Sequence, residues 1–415
     1  MSEVVTDLRT VVEPERLGAA MRRAVDATGR RTPQLPAPQV LVKAPGFEFV
    51  SGERSRRFHA ASVGKTMTAT RAFQLAATGR LDLDAPLTAL LPADDWRGLF
   101  VRDGRDHAGR VTPRHLLEHT SGVADYFSGR TSGSPSFARL LEAEPDRLWT
   151  PNDLLAFTRD HQRPVAEPGR RFSYSDTGYV LLGRVIEVAG GAPLGAQLHG
   201  TGGEGVFAPA GMAGSCLLFH TLPGGEPSTD PEPGVALDIA PIRLGSLDLA
   251  HRRALSCDWG GGGVVTTLDD LVRFTTAWTD GRLLSAADRA VMADARHRFR
   301  PGIRYGAGAM QLHYEGFSPF LRGLPRPVGH LGVTAVHAFT APELGIHLAI
   351  NMHSTREMVR SFRLHIRLMQ LLVRALRGGC SWSPQSSIGP SHAVATVECA
   401  DSGSEGWKRP ASTSR

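Results

Sequence analysis

The apolar positions of the chain fall into alternating helix-like and strand-like stretches. Leu17, Met21 and Val25, four residues apart, predict an amphipathic helix over Pro14–Gly29. Residues 40–42 and 47–50 read as short strands parted by the turn signal Pro45-Gly46. A helix-forming run over 67–77 stops at Gly79, and residues 66–165 then read as short helices and loops. One of these helices begins at Thr112-Pro113 and another at Pro151, with proline in the first turn. Turn chemistry returns at Pro168-Gly169, before a strongly apolar helix over 179–189. Residues 200–241 are rich in glycine and proline and take no clear assignment. A glycine bend at 260–263 leads to an extended stretch at 264–266 and a helix, Leu268–Thr279, capped by Thr267. Residues 305–312, 335–340 and Ile346–Asn351 read as strands. Residues 356–377 read as a long helix with an apolar stripe of Val359, Phe362, Ile366, Met369, Val373 and Leu376 opposite a face of arginines. Packing of that stripe on a sheet is the expectation, and a membrane-surface helix is the alternative. From residue 378 onward, Ser, Gly and Pro without periodicity predict a disordered tail.

Composition narrows the function classes. The 415 residues are enough for one large domain or two, and 41% apolar residues are enough for a sizeable core. A net charge of +6 comes from dispersed arginines, which predicts a solvated surface rather than a nucleic-acid footprint. Cys216, Cys257, Cys380 and Cys399 are far apart and form no metal-binding or disulfide pattern. Residues 1–15 have neither the basic nor the apolar region of an export signal, and no run reaches the roughly 18 apolar residues of a membrane span. The expectation is a soluble cytoplasmic protein with no nucleic-acid or membrane partner.

The chemistry centres on Phe58-His59-Ala60-Ala61-Ser62-Val63-Gly64-Lys65-Thr66. If Ser62 opens the helix that follows, Lys65 lies one turn away on the same face. A serine hydroxyl needs a neighbouring base to become a nucleophile, and a lysine with a lowered pKa is such a base. The helix N-terminus adds N–H groups that stabilise an oxyanion. Taken alone, Ser-x-x-Lys also describes an ordinary solvated helix start. Downstream, Tyr174-Ser175-Asp176 puts a phenol and a carboxylate in a turn before the apolar helix, either as a cap or as a proton shuttle and a holder for Lys65. Gly329-His330-Leu331-Gly332-Val333-Thr334 puts a histidine on a glycine-flanked strand, where a substrate backbone can come close.

These three elements together resemble the serine β-lactamase and penicillin-recognising enzyme family, in its class C β-lactamase-like branch of family VIII esterases, D-amino-acid peptidases and acyltransferases. That branch has Tyr-x-Asn second and often His-x-Gly third, where this chain has Tyr174-Ser175-Asp176 and His330-Leu331-Gly332. Residues 79–86 (GRLDLDAP), 112–122 (TPRHLLEHTSG) and 261–267 (GGGVVTT) resemble the branch too, in the same order. The resemblance covers roughly residues 38–376. It implies an α+β, β-lactamase/transpeptidase-like fold: a central antiparallel sheet flanked by helices, with an all-helical inserted domain. Residues 1–65 and 166–377 would form the sheet domain, 66–165 the helical domain and 378–415 the tail. It also implies Ser62 as nucleophile, Lys65 as its base, Tyr174 as proton relay, and the N–H groups of Ser62 and Val333 as oxyanion hole. His330 and Gly332 would line the site, and Tyr126 and Asp176 would contact substrate. Two departures stand out. Asp176, where the branch has Asn, would pair with Lys65 and hold it charged. His330, where true β-lactamases have lysine, would weaken recognition of a substrate carboxylate.

Three competing readings remain at this stage. His115-Leu116-Leu117-Glu118-His119 fits a His-x-x-Glu-His zinc signature but has no obvious third ligand. Residues 60–64 resemble a loose nucleophile elbow, although 54–59 is too polar for the strand that should precede it. The scaffold could also serve a non-catalytic ligand-binding protein. The expectation is an acyl-Ser62 hydrolase or acyltransferase acting on a small ester, amide or peptide substrate without a cofactor.

Overall fold

The apolar run Val40-Leu41-Val42, buried on both faces, and the alternating Phe47 and Phe49 fold Gln39–Ala44 (β1) and Phe47–Ser51 (β2) into a hairpin. Its turn residue Gly46 has φ 69°, the left-handed conformation that glycine adopts without a Cβ penalty. The computed structural model describes residues 14–30, 34–230 and 233–377, together with the strand pair Ser381–Trp382 and Val397–Glu398. The rest of the predicted tail lies outside the described residues.

The hairpin joins His297–Arg300 (β3), Ile303–Tyr305 (β4), Met310–Leu312 (β5), Val328–Gly332 (β6), Val336–Ala341 (β7) and Ile346–Asn351 (β8). All pairings in this sheet are antiparallel, in the order β3-β4-β5-β6-β7-β8-β1-β2. Leu41 lies opposite Ala349 and His330 opposite Ala338. The N-terminal hairpin therefore docks on a C-terminal strand. The single strand expected over 305–312 is instead a hairpin, β4 and β5, because Gly308 at φ 94° turns the chain between them. β3 went unpredicted because it is an edge strand whose Arg298 and Arg300 face solvent, a polar edge that discourages pairing with other chains.

The helix Pro14–Gly29 (α1) buries Leu17, Met21 and Val25 as predicted, each worth about 1.5–3 kcal/mol over exposure. The helix Met358–Arg377 (α5) packs in the same core through Leu364, Leu368, Met369 and Leu372. This is a correction to the stripe read from sequence: Val359 is exposed, while Phe362 and Ile366 are half-buried. The buried face runs through two polar residues, Ser361 and His365, which hid it from a hydrophobicity count. Those residues are satisfied by a hydrogen-bonded chain between α5 and the sheet. Tyr314 Oη lies 2.7 Å from His365 Nε2, the Nδ1 atoms of His365 and His337 lie 3.1 Å apart, and His337 Nε2 lies 2.8 Å from Ser361 Oγ. Ser361 Oγ donates to the Met358 carbonyl, which fixes the direction of every donor back to the tyrosine hydroxyl.

On the other face of the sheet lies Leu268–Thr279 (α4), capped by Thr267 as predicted, with the Asp270 N–H donating to Thr267 Oγ1 at 3.2 Å. Beyond it, Gly64–Ala77 (α2) is buried nearly all round and packs on Asp176–Gly190 (α3). An apolar helix like α3 buries most of its surface, and its left-handed stop is Gly191 at φ 69°. Between α2 and α3 the chain forms short helices and one small two-stranded ribbon, Val101–Arg102 with Arg105–Asp106.

Candidate active site

The nucleophile turn is built where three backbones touch. Ser62 lies in the 3-10 turn Ala61–Val63 that leads into α2, so the helix begins two residues later than the spacing argument supposed. Ala61 has φ 48°, a strained conformation for a residue with a side chain, held by full burial and by its N–H donating to His59 Nδ1 at 3.1 Å. Two glycines allow the close approach. A methyl on Gly262 would stand 2.4 Å from the Ala61 carbonyl oxygen, and one on Gly332 would stand 2.7 Å from the Ala60 carbonyl oxygen. The sheet edge of the site at β6 and the glycine run at 260–263 are thus pressed against Ser62 from both sides.

Lys65 Nζ donates to Ser62 Oγ at 3.1 Å, to the Gly261 carbonyl at 2.6 Å and to Asp176 Oδ1. Three acceptors around three N–H bonds match a protonated ammonium. Burial works to lower the Lys65 pKa. Asp176, Tyr174 and Asp258 outweigh it and hold the group above the usual lysine range. The carboxylate at position 176 therefore does what the sequence suggested: it holds Lys65.

Tyr174 is held by His119. The Ser173 N–H donates to the His119 carbonyl at 2.8 Å and the Ser175 N–H to His119 Nδ1 at 3.1 Å, so the two bonds straddle the tyrosine. The His119 ring also packs on the Tyr174 ring, centroids 4.2 Å apart. Burial raises the Tyr174 pKa, while the Lys65 charge and hydrogen bonding to Ser62 and Lys65 favour its phenolate. Tyr174 is therefore a protonated phenol beside the nucleophile, suited to giving a proton away. Ser175 caps α3 by accepting the Gly178 N–H at 3.2 Å, and the Asp176 N–H donates to Asp125 Oδ1 at 2.9 Å.

A cavity of about 510 Å³ opens over this cluster and is bordered by Ser62, Tyr174, Asp176, Gly332 and Val333. The backbone N–H groups of Ser62 and Val333 have no hydrogen-bond partner among the described residues, as two donors awaiting an oxyanion would. Five of the residues named from sequence thus meet at one place, with Lys65 beneath them.

Two do not take the expected part. His330 does not border this cavity. It is buried beneath the site, with the Leu331 N–H donating to its Nδ1 at 3.0 Å and its Nε2 facing Tyr305 Oη at 3.3 Å. Burial, helped by the Lys65 charge, lowers its pKa to about 3, so it is a neutral support that adds no positive charge. Tyr126 borders the cavity, but its hydroxyl donates to the Cys257 carbonyl at 2.7 Å and is already used. It forms wall and offers no free polar group.

The zinc reading fails on geometry. His115 Nδ1 accepts the Thr112 N–H at 3.2 Å in a capping box, Glu118 faces His297 at 3.5 Å, and His119 leaves the helix at φ 54°. No three His, Cys, Asp or Glu side chains converge as metal ligands among the described residues. Sequence reasoning missed Asp125 and Asp258, both at the cavity. The one signal for Asp258 was its place immediately before the Trp259 and glycine run.

Known proteins resemble this chain in sequence and in fold. EstB, named an esterase, from Burkholderia gladioli is 35% identical over 331 residues, covering 72% of this chain and 78% of EstB. Penicillin-binding protein 4 of Amycolatopsis lactamdurans is 32% identical over 251 residues, 57% of this chain; the match spans only about half of that relative, 56%. D-amino acid amidase from Ochrobactrum anthropi SV3, solved with L-phenylalanine amide, shares the fold with a TM-score of 0.68 at 23% identity, covering 87% of this chain and 99% of that one. The family described as Beta-lactamase matches residues 53–372, and the chain belongs to that family.

Proposed function

We propose that the protein is a serine hydrolase or acyltransferase that cleaves a small ester, amide or peptide through a covalent acyl-Ser62 intermediate. The observation that carries this reading is the hydrogen bond from Lys65 Nζ to Ser62 Oγ at the floor of a cavity bordered by two unpartnered backbone N–H groups. For Lys65 to act as base, one of its protons must first move to an acceptor, and Asp176 is the carboxylate in contact with it. Lys65 then takes the Ser62 hydroxyl proton as Oγ attacks the carbonyl carbon. The developing oxyanion is held by the N–H groups of Ser62 and Val333, each worth about 3–4 kcal/mol in the transition state. Tyr174 gives its proton to the departing alcohol or amine and is reprotonated from Lys65. Water, an alcohol or an amine then attacks the acyl-serine and restores the hydroxyl.

Similarity to EstB supports ester chemistry. A neutral His330, which adds no positive charge beneath the site, does not favour a carboxylate-bearing substrate such as a β-lactam. No helix among the described residues is long and apolar enough to cross a membrane, and buried free thiols at Cys216 and Cys257 fit a reducing, cytoplasmic setting. We also take the sheet and the helical region after α2 as two lobes, with the site between them.

One observation favours a second reading. The triply bonded Lys65 ammonium could leave the site inert, as a ligand-binding protein of the same fold. Turnover of p-nitrophenyl acetate decides between the two. The hydrolase reading expects a burst followed by steady turnover, reduced at least about a thousandfold in Ser62→Ala and in Lys65→Ala. Near wild-type rates in either variant would remove the proposed mechanism.

A further inference from the structure

The strand that leads to one oxyanion donor is held unevenly by its neighbours. β6 pairs with β7 along its whole length, from Val328 opposite Thr340 to Gly332 opposite Val336. On its other side β5 pairs only with Val328 and Gly329. The chain turns at Gly308, φ 94°, just before β5, so β5 does not reach His330. His330, Leu331 and Gly332, the residues that lead directly to the Val333 N–H, therefore have no strand pairing on that side among the described residues. A buried backbone donor without a partner is costly, so this side of β6 needs another one.

Side chains take the place of the missing strand. The Leu331 N–H donates to His330 Nδ1 at 3.0 Å, which leaves the ring proton on Nε2. His330 Nε2 lies 3.3 Å from Tyr305 Oη, and Tyr305 Oη lies 3.3 Å from Tyr179 Oη. The Tyr179 hydroxyl donates to the Leu117 carbonyl at 3.4 Å. Each donor then has one acceptor, in a single direction from β6 to the short helix Pro113–Leu117. Tyr305 stands on β4, on the far side of β5, so its side chain reaches past the end of that strand. Its ring also packs against His119, centroids 4.7 Å apart, and His119 is the residue that holds Tyr174. Tyr305 is fully buried and does not border the cavity, so it acts on the reaction only through other residues.

We propose that Tyr305 is a positioning residue for the oxyanion hole: its hydroxyl holds the His330 ring that stands in for the missing strand, and so fixes the end of β6 from which the Val333 N–H is offered. This rests on the acyl-Ser62 reading and adds a residue to its machinery. The two oxyanion donors come from different elements, Ser62 from the 3-10 turn before α2 and Val333 from the residue after β6. They meet one oxygen only while β6 is held in place against that turn, because a hydrogen bond weakens steeply as its donor is withdrawn or tilted. Without the Tyr305 hydroxyl, the His330 Nε2–H is buried with no acceptor. The ring then shifts and takes the acceptor of the Leu331 N–H with it. The cavity walls are untouched, so the loss falls on kcat and not on KM.

The test uses the full chain with p-nitrophenyl acetate and its thiono counterpart, in which sulfur replaces the carbonyl oxygen. Sulfur is larger and a weaker acceptor, so the ratio of oxo to thiono rates, divided by the same ratio for hydroxide, reads the oxyanion hole. Wild type should favour the oxo ester by about a hundredfold or more, the worth of one oxyanion donor. In Tyr305→Phe, kcat for the oxo ester should fall roughly tenfold with KM little changed and the thiono rate nearly unmoved, a part of that donor's worth. The normalised ratio then falls by about the same factor. A wild-type ratio near that of hydroxide overturns the assignment. So does a ratio that survives Tyr305→Phe, as when both esters slow equally under a merely structural role. If Tyr305→Phe does not fold, Tyr179→Phe decides, since it removes the acceptor of the Tyr305 proton: the ratio should fall several-fold, and an unchanged ratio counts against the proposal. Fluorophosphonate labelling in parallel separates the two ideas. Labelled Ser62 with an unmoved ratio sinks only the role of Tyr305, whereas no labelling of folded wild type sinks the acyl-serine reading and this assignment with it.

Discussion

Replacing Asp176 with Asn should make the enzyme a better catalyst at neutral and mildly acidic pH. In the resting site Lys65 is fully buried, donates all three of its protons and faces a carboxylate in direct contact. An opposite charge at that range raises a lysine pKa by about 1–3 units, or about 1.4–4 kcal/mol. Asn keeps an oxygen in the same place to accept from Nζ but removes the charge, so burial then dominates and Lys65 loses its proton more readily. Below the Lys65 pKa the free-amine fraction rises tenfold per unit. A weaker base gives back part of that gain in proton-transfer efficiency. The acid limb of the kcat/KM profile should therefore move down by about 1–3 units, with a roughly tenfold or larger gain at pH 7. Asp258, which also holds the Lys65 charge, remains in this variant and keeps the shift towards the lower end of that range. The assay is initial-rate hydrolysis of a neutral activated ester from pH 5 to 9, with thermal unfolding to confirm the fold. An unmoved acid limb, or a rate lost at every pH in a folded variant, refutes the view that Asp176 traps Lys65 as an ammonium.

Three other outcomes follow from the geometry. His119→Ala removes the acceptor for the Ser175 N–H and the ring beside Tyr174, so kcat should fall roughly tenfold with a displaced basic limb, and His119→Asn should recover part of it; an unchanged basic limb in the alanine variant contradicts the positioning role. Gly332→Ala places a methyl 2.7 Å from the Ala60 carbonyl oxygen and must move the Val333 N–H off the oxyanion, costing about a hundredfold in kcat with a smaller change in KM, whereas wild-type kcat would argue against this oxyanion hole. His59, His330, His347, His353 and His365 have folded pKa values lowered to about 3 or 4 by burial. The unfolded chain then binds more protons between about pH 6.5 and pH 4, so stability is present above 6.5 and is lost as pH falls, by about 2 kcal/mol per histidine at pH 5. Asp125, raised to about 6 by burial, works in the opposite direction over part of the same range and offsets some of that loss. Thermal melts should show Tm dropping steeply between pH 6.5 and 5, and a flat Tm would contradict the buried neutral histidines.

What the sequence disclosed depended on whether local chemistry was enough. α1 and α4 were readable to the residue because each carries a regular apolar face, and α4 a threonine cap. Ser62, Lys65 and Tyr174 were readable because their spacing fits one family order. The α5 stripe was misplaced because Ser361 and His365 look like solvent residues until His337 and Tyr314 are brought to them from 24 and 51 positions away. His330 was expected to face substrate, yet the direction of a side chain on a strand depends on register, here its pairing with Ala338. Asp258 carried only the weak signal of its place before Trp259 and the glycine run, since the groups that act on it, Lys65 and Asp176, come from distant segments.

Covalent labelling of Ser62 tests the central claim most directly. Wild type, Ser62→Ala and Lys65→Ala would be exposed to a fluorophosphonate and weighed intact, with peptide mapping of any adduct and a chelator control. The account predicts a single adduct on Ser62 in wild type, much slower labelling in Lys65→Ala, none in Ser62→Ala, and no effect of chelator. A folded wild-type protein that takes no adduct, or an adduct that survives Ser62→Ala, would contradict an activated serine at this site.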